Sequence, residues 1–359
     1  MMNKVRYILP LVFLVVFGCR EPFDFDYADV INPRVVIDGF ITNEGRSHIV
    51  RVSNSTTFNS RGLTVPRFII DADVRITDDQ NNFTILTHTR NGIYVSAPQY
   101  AAEEGRSYTL TVTLATGEVY ESTVKTLPPP SPAQPVIDFP GDTREVLVNN
   151  GIVSNTVSEE RGAAISATLQ KDGNRHFYQW LISHYFIIEA AQAPDELKFC
   201  YLRDIDQPRV VLFQDNPAQE GGPTEFTYDI DFIPLTSKMQ FDFGVEGRLL
   251  TLNEEDFTFW DLVRRQIENT GGLFDAAPST IPGNITNRAT GEGALGYFGV
   301  YRETTARTFF QVLELGLGGI NYNQCMIQPF AQRPDPCEDC RLYEFNGNFG
   351  TTPPIWWRN

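Results

Sequence analysis

Two thiols sit three residues apart in Pro334-Asp335-Pro336-Cys337-Glu338-Asp339-Cys340-Arg341, a spacing that suits a zinc ligand pair, a redox dithiol or a plain crosslink. A structural zinc site asks for four ligands, and the other cysteines, Cys19, Cys200 and Cys325, form no second pair. A redox Cys-x-x-Cys belongs with a βαβ pattern, and none surrounds this one. The choice therefore turns on the compartment the chain occupies.

Other stretches with chemical potential read as architecture. Gly291, Gly293 and Gly296 satisfy Gly-x-Gly-x-x-Gly. A polar loop precedes them and a strand-like Tyr297-Phe298-Gly299-Val300-Tyr301 follows, the reverse of a dinucleotide loop. The four histidines, His48, His88, His176 and His184, fit no zinc-protease pattern. His176 and His184 share a strand face by spacing but have no acidic ligand at matched spacing. Carboxylates cluster at Asp71, Asp73, Asp78 and Asp79, at Asp204 and Asp206, and at Asp229 and Asp231. The run Asp78 to Asn82 is turn chemistry. Asp229-x-Asp231 in a strand is expected to put both carboxylates on one face. Nothing singles out a glycosidase pair. Trp356 and Trp357 near the end suit either a stacked ligand or a strand that plugs a core. No catalytic residue, metal site or cofactor is predicted, and the protein is read as a non-enzyme.

The compartment follows from the first residues. Lys4 and Arg6 precede an apolar run from Ile8 to Phe17 that ends at Gly18-Cys19. The run is about half the ~20 residues a membrane span needs, so residues 1–18 read as a signal peptide. Val16-Phe17-Gly18-Cys19 resembles a lipobox, which makes Cys19 the lipidated first residue of the mature chain and 19–29 its tether. The acidic residues just after Cys19 resemble signals that send some lipoproteins to the outer cell surface. Outside the cytoplasm an even set of cysteines favours disulfides, and Cys200, Cys325, Cys337 and Cys340 allow three connectivities. At least one long-range bridge is expected to tie the C-terminal tail to the Cys200 region. The formal charge of −16, two units more negative once Lys4 and Arg6 leave, disfavours nucleic acid and anionic lipid surfaces as partners.

The elements that must hold these residues are mostly β. Residues 34–55, 72–97 and 106–127 alternate apolar and polar, with turns at Asn43-Glu44-Gly45, Asp78–Asn82, Asn91-Gly92 and Ala115-Thr116-Gly117. This predicts an immunoglobulin-like β-sandwich over 30–127. The proline-rich segment 128–135 reads as a linker. Residues 136–359 read as a second, sandwich-like β-rich domain, with a hairpin turning at Lys171–Asn174. One amphipathic helix is predicted near 253–268, with Asn253 as cap and Phe257, Trp260, Val263 or Arg264, and Ile267 on its packed face.

That helix and its continuation carry a family resemblance. The Phe-x-x-Trp helix, Gly271-Gly272-Leu273-Phe274-Asp275, Pro278-Ser279-x-Ile281-x-Gly283-Asn284-Ile285 and Leu295-Gly296-Tyr297-Phe298 resemble the domain of unknown function 4249 family of Bacteroidota lipoproteins. The segments Val35 to Thr42 and Val74 to Asp79, the Cys200-Tyr201 pair and the closing Cys-x-x-Cys-Arg also match. The ending, which here holds Trp356-Trp357, departs from the family's usual one. The resemblance implies a non-catalytic, lipid-anchored outer-membrane accessory protein that partners a TonB-dependent transporter in nutrient capture or uptake. Its acyl anchor would hold it to the membrane, with the cell-surface face favoured. The alternative is a cell-surface adhesin or glycan-binding module independent of a transporter.

Overall fold

Alternation of apolar and polar residues becomes strand throughout the first half of the chain. The structure, a computed structural model, describes residues 33–55, 67–148, 156–172, 174–190, 193–204, 210–214, 224–235, 241–268, 280–311, 339–342, 348–354 and 356. Cys19, Cys325, Cys337 and Trp357 lie outside the described residues, as do the signal peptide and tether. Strands β1 (Val35–Thr42) and β2 (Ile49–Asn54) pair antiparallel around the turn expected near Asn43. β3 (Arg67–Phe68) joins β2. β4 (Asp73–Asp78), β5 (Phe83–Arg90) and β6 (Ile93–Val95) follow as successive hairpins. Asn91 and Gly92, at φ 48° and 67°, turn β5 into β6, the left-handed pair that a two-residue hairpin requires. β7 (Ser107–Thr113), β8 (Val119–Ser122) and the short β9 (Lys125–Thr126) complete this half. Tyr108, Leu110 and Val112 of β7 are all buried, with Ile37, Val52 and Ile76 in the same core.

The second half is also strand-rich, with one long helix. It runs β10 (Val136–Val148), β11 (Thr156–Gln170), β12 (Phe177–Glu189), the single-turn α1 (Asp195–Lys198) and β13 (Phe199–Asp204). β14 (Val211–Gln214), β15 (Glu225–Pro234), β16 (Phe243–Leu252), α2 (Glu254–Glu268), β17 (Ile285–Asn287), β18 (Phe298–Phe310) and β19 (Asn348–Gly350) follow. The fold is therefore mostly β, with α2 where a helix was predicted. The hairpin expected at Lys171–Asn174 does not form. β11 pairs with β10 and β15 in a three-stranded sheet, whereas β12 pairs with β13, β14 and β16 in the large one. The chain crosses here from one layer to the other, because both strands present an apolar face to one core. Ala163, Ile165, Ala167 and Leu169 of β11 meet Tyr178, Trp180 and Phe186 of β12 there.

The two halves share a sheet. β1 pairs in parallel with the start of β18, Gly39 opposite Phe298 and Thr42 opposite Tyr301, while the rest of β18 pairs with β16 from Arg302 to Phe310. β17 pairs with β8, and Ile285, Phe298 and Val300 are buried in the first half's core. Gly296, at φ 92°, permits this return, since a Cβ there would lie 2.2 Å from the Ile37 carbonyl oxygen. Segment 128–135 makes contacts of its own: Arg302 Nε donates to the Pro128 carbonyl (3.0 Å), and Ala133 is buried.

Helix α2 is pinned at its first turn by buried charge. Lys125 of β9 is 2% exposed and Asp256 is fully buried, and their Nζ and Oδ1 lie 2.8 Å apart. The ammonium also reaches Glu255 (2.9 Å) and donates to the Tyr297 hydroxyl (2.6 Å), which in turn donates to Asp256 (2.6 Å). Burial, reinforced by the Asp256 carboxylate, pushes the Tyr297 hydroxyl far above the ordinary phenol range, so it stays a donor. The expected packed face of α2 shifts accordingly. Asp256 and Phe259 are its buried residues, Phe257 and Trp260 are half-buried, and Ile267 is exposed. Phe259 stacks on Tyr297 at 4.3 Å, and Phe257 meets Phe177 at 5.0 Å.

A disulfide joins Cys200 of β13 to Cys340 across 140 residues, with Cα atoms 5.6 Å apart and both residues buried. β19 also pairs with β13, so the tail is fastened twice to the same strand. A loop of this length stabilises by roughly 5 kcal/mol in the chain-entropy model. Cys340→Ala is expected to lower unfolding free energy by several kcal/mol, and Cys200→Ala/Cys340→Ala to cost no more than the worse single change. Urea titration of the three variants checks this. Breaking the buried pair is expected to be equally visible. Lys125→Met should cost about 3–5 kcal/mol, and Lys125→Met/Asp256→Leu much less, because the double change removes both desolvated charges. Additive losses in that cycle would contradict the coupling.

Candidate functional site

The later turns of α2 face a cavity. Asp261, Arg264, Ile267 and Glu268 line a space of about 680 Å³ together with residues of β10, β11, β14 and β15. That volume falls in the range of small-molecule sites. The position of α2 follows from its first turn: Lys125 holds Asp256, and Asn253 Nδ2 donates to the Thr126 carbonyl (3.1 Å). Residues Asp261 to Glu268, about 1.4 to 3.3 turns beyond Asp256, then reach the rim.

β15 supplies the opposite wall through a bulge. Asp231 stands opposite Ile165 and Asp229 opposite Ser166, which leaves Ile230 as the extra residue. Adjacent positions on β11 point to opposite faces, so the two aspartates do not share one face as their spacing alone suggests. Asp231 turns inward and is buried, its Oδ2 2.7 Å from His184 Nε2 of β12. Asp229 is exposed. The Ile230 side chain, 3% exposed, packs in the core between them.

The remaining charges at the cavity are mostly spent on each other. Arg144 of β10 donates to Glu160 Oε2 through Nε (2.8 Å) and a terminal nitrogen (2.6 Å), and lies 4.1 Å over the Phe232 ring. Arg264 bonds Asp261 (2.6 Å) and Glu268 (2.7 Å), and Arg265 reaches Asp261 from the next position (2.6 Å). These helix pairs have the i,i+3 and i,i+4 spacing that the sequence displays. Arg144 carried no such signal, because its partner lies across a β-hairpin. Asp229 makes no hydrogen bond or ion pair among the described residues.

The other sequence candidates are placed elsewhere and apart. His176 bonds Asp172 (2.8 Å), so His176 and His184 serve two different carboxylates instead of one site. His48 is buried, its Nε2 3.0 Å from the Tyr100 carbonyl, and burial lowers its pKa. Asp78 caps its own turn, accepting from the N–H groups of Gln80 and Asn82, and pairs with Arg106. Among the described residues no three His, Cys, Asp or Glu side chains gather as a metal site. Trp356 packs edge-on against Tyr185 at 4.8 Å and against Phe309 at 5.0 Å. Gly244 leaves the room, since a Cβ there would come within 3.0 Å of its ring. The glycines 291–296 lie in a loop that leads into β18, and Leu295 exchanges backbone hydrogen bonds with Val35 and Ile37. A second charge knot, remote from the cavity, is the buried Glu303, which accepts from Arg248 (2.7 and 3.0 Å) and from Arg46.

Comparison with known proteins adds the family and no activity. A search of curated proteins finds no match. The family model described as a domain of unknown function, DUF4249, matches residues 20–307, which include every strand from β1 to β17, helix α2 and most of β18. The chain belongs to the DUF4249 family.

Proposed function

We propose that this protein is a non-catalytic, lipid-anchored accessory protein of the outer membrane, partnering a TonB-dependent transporter in nutrient capture or uptake at the cell surface. The observation that carries the reading is the short apolar leader ending at Gly18-Cys19, with the family match starting at the next residue. Lipidation of Cys19 would confine the protein to two dimensions and raise its effective concentration beside a transporter. The fold supports a binding role. Its buried ionisable groups Lys125, Asp256, Glu303, His184 and Asp231 hold strands and helix together. Residues 30–127 are read as an immunoglobulin-like module: β1, β2 and β6 enclose the same core as β4, β7 and β8. The adhesin or glycan-binding alternative draws support from Phe83 and Ile85, 58% and 53% exposed on alternate positions of β5.

Native affinity purification from outer membranes tests the proposal. A TonB-dependent transporter is expected to co-purify with the wild-type protein, and Cys19→Ala is expected to shift it out of the membrane fraction. Recovery without a transporter would favour the adhesin reading. A Cys19→Ala protein that stays with membranes would overturn the lipid anchor.

A further inference from the structure

We propose that the cavity between α2 and β15 binds an organic cation, a primary ammonium carried on an apolar chain, with Asp229 as its counter-ion. The inference stands apart from the lipid-anchor reading, since it uses only the cavity's own residues. Six charged residues line the space: Arg144, Asp229, Asp231, Asp261, Arg264 and Glu268. Glu160 neutralises Arg144, and His184 engages Asp231. Asp261 and Glu268 hold Arg264 between them. Both arginine charges are thus matched by carboxylates. Asp229 alone of the six has no hydrogen bond or ion pair among the described residues.

The walls set the rest of the ligand. Val211, Leu212 and Ile267 add aliphatic side chains to the lining. The aromatic residues are engaged already, Phe232 under Arg144 and Phe257 against Phe177, so an alkyl chain fits better than a stacked sugar ring. The formal charge of −16 adds a long-range field that concentrates cations and repels anions. A basic side chain of a peptide presents this combination of ammonium and methylenes.

Calorimetric titration of the full chain in detergent with hexylammonium and, separately, 1-hexanol tests the site. Hexylammonium is expected to bind, and Asp229→Asn to weaken it by roughly 10–100-fold, the size of one charge-assisted hydrogen bond. Hexanol, matched in length but uncharged, should bind the wild type about as weakly as hexylammonium binds the variant. Ala164→Phe keeps the carboxylate but narrows the cavity, and should weaken binding of both. Thermal midpoints of the variants confirm that they are folded. Failure of hexylammonium to bind the wild type would overturn the proposal. So would equal affinity for the alcohol, or affinity unmoved by Asp229→Asn in a folded variant.

Discussion

Lys125 and Asp256 meet at 2.8 Å with almost no access to water, and both are joined to the hydroxyl of Tyr297. Desolvating two charges costs several kcal/mol each, and their mutual attraction together with added hydrogen bonds offsets that cost. Three parts of the chain supply those bonds, β9 of the first half, the first turn of α2 and the segment entering β18, while Asp256 Oδ2 stays buried without a hydrogen-bond partner among the described residues. Moving β9 or the first turn of α2 away would leave a buried charge behind, and moving Tyr297 would take away the hydroxyl that both charges share. The cavity inherits its geometry from this point, because the residues at its rim are later turns of the same helix.

β18 extends the same logic along the backbone. Its first residues complete the first half's sheet beside β1, and its later residues complete the second half's sheet beside β16. A parallel strand pair between segments about 260 residues apart needs close backbone approach, which explains the residue types between Asn284 and Phe298. Gly296 clears the Ile37 carbonyl. Asn284 imitates a neighbouring strand, its amide donating to the Phe298 carbonyl (2.8 Å) and accepting from the Phe298 N–H (2.9 Å). Ile285 enters the first half's core. These residues are thus a set of fasteners that draw the chain back to its first strand.

Local features of this fold were legible in the sequence, and long-range ones were not. The buried face of Tyr108, Leu110 and Val112 follows from period-two alternation, and the Asn91-Gly92 turn from its left-handed requirement. Helix α2 was visible from its acidic start and periodicity. The same acidic start concealed Asp256, which reads as a solvent-facing helix-dipole residue until its cation, 131 residues earlier, is known. The crossing of the chain from β11 to β12 was hidden as well, because a turn signal marks a reversal without naming the sheet each strand will join. The proline-rich segment likewise signalled a break in strand but could not signal that β18 would return across it. At the cavity, the helix pairs of Arg264 were readable from spacing, whereas the bulge at Ile230 that separates Asp229 from Asp231 depends on the register with β11.

Stitched by β18 and the Lys125–Asp256 pair, the two β-rich halves are expected to unfold as one cooperative body. Differential scanning calorimetry of the disulfide-intact full chain tests it most directly. One transition is predicted, with equal calorimetric and van't Hoff enthalpies. Two resolved transitions, one for each side of residues 128–135, would contradict it.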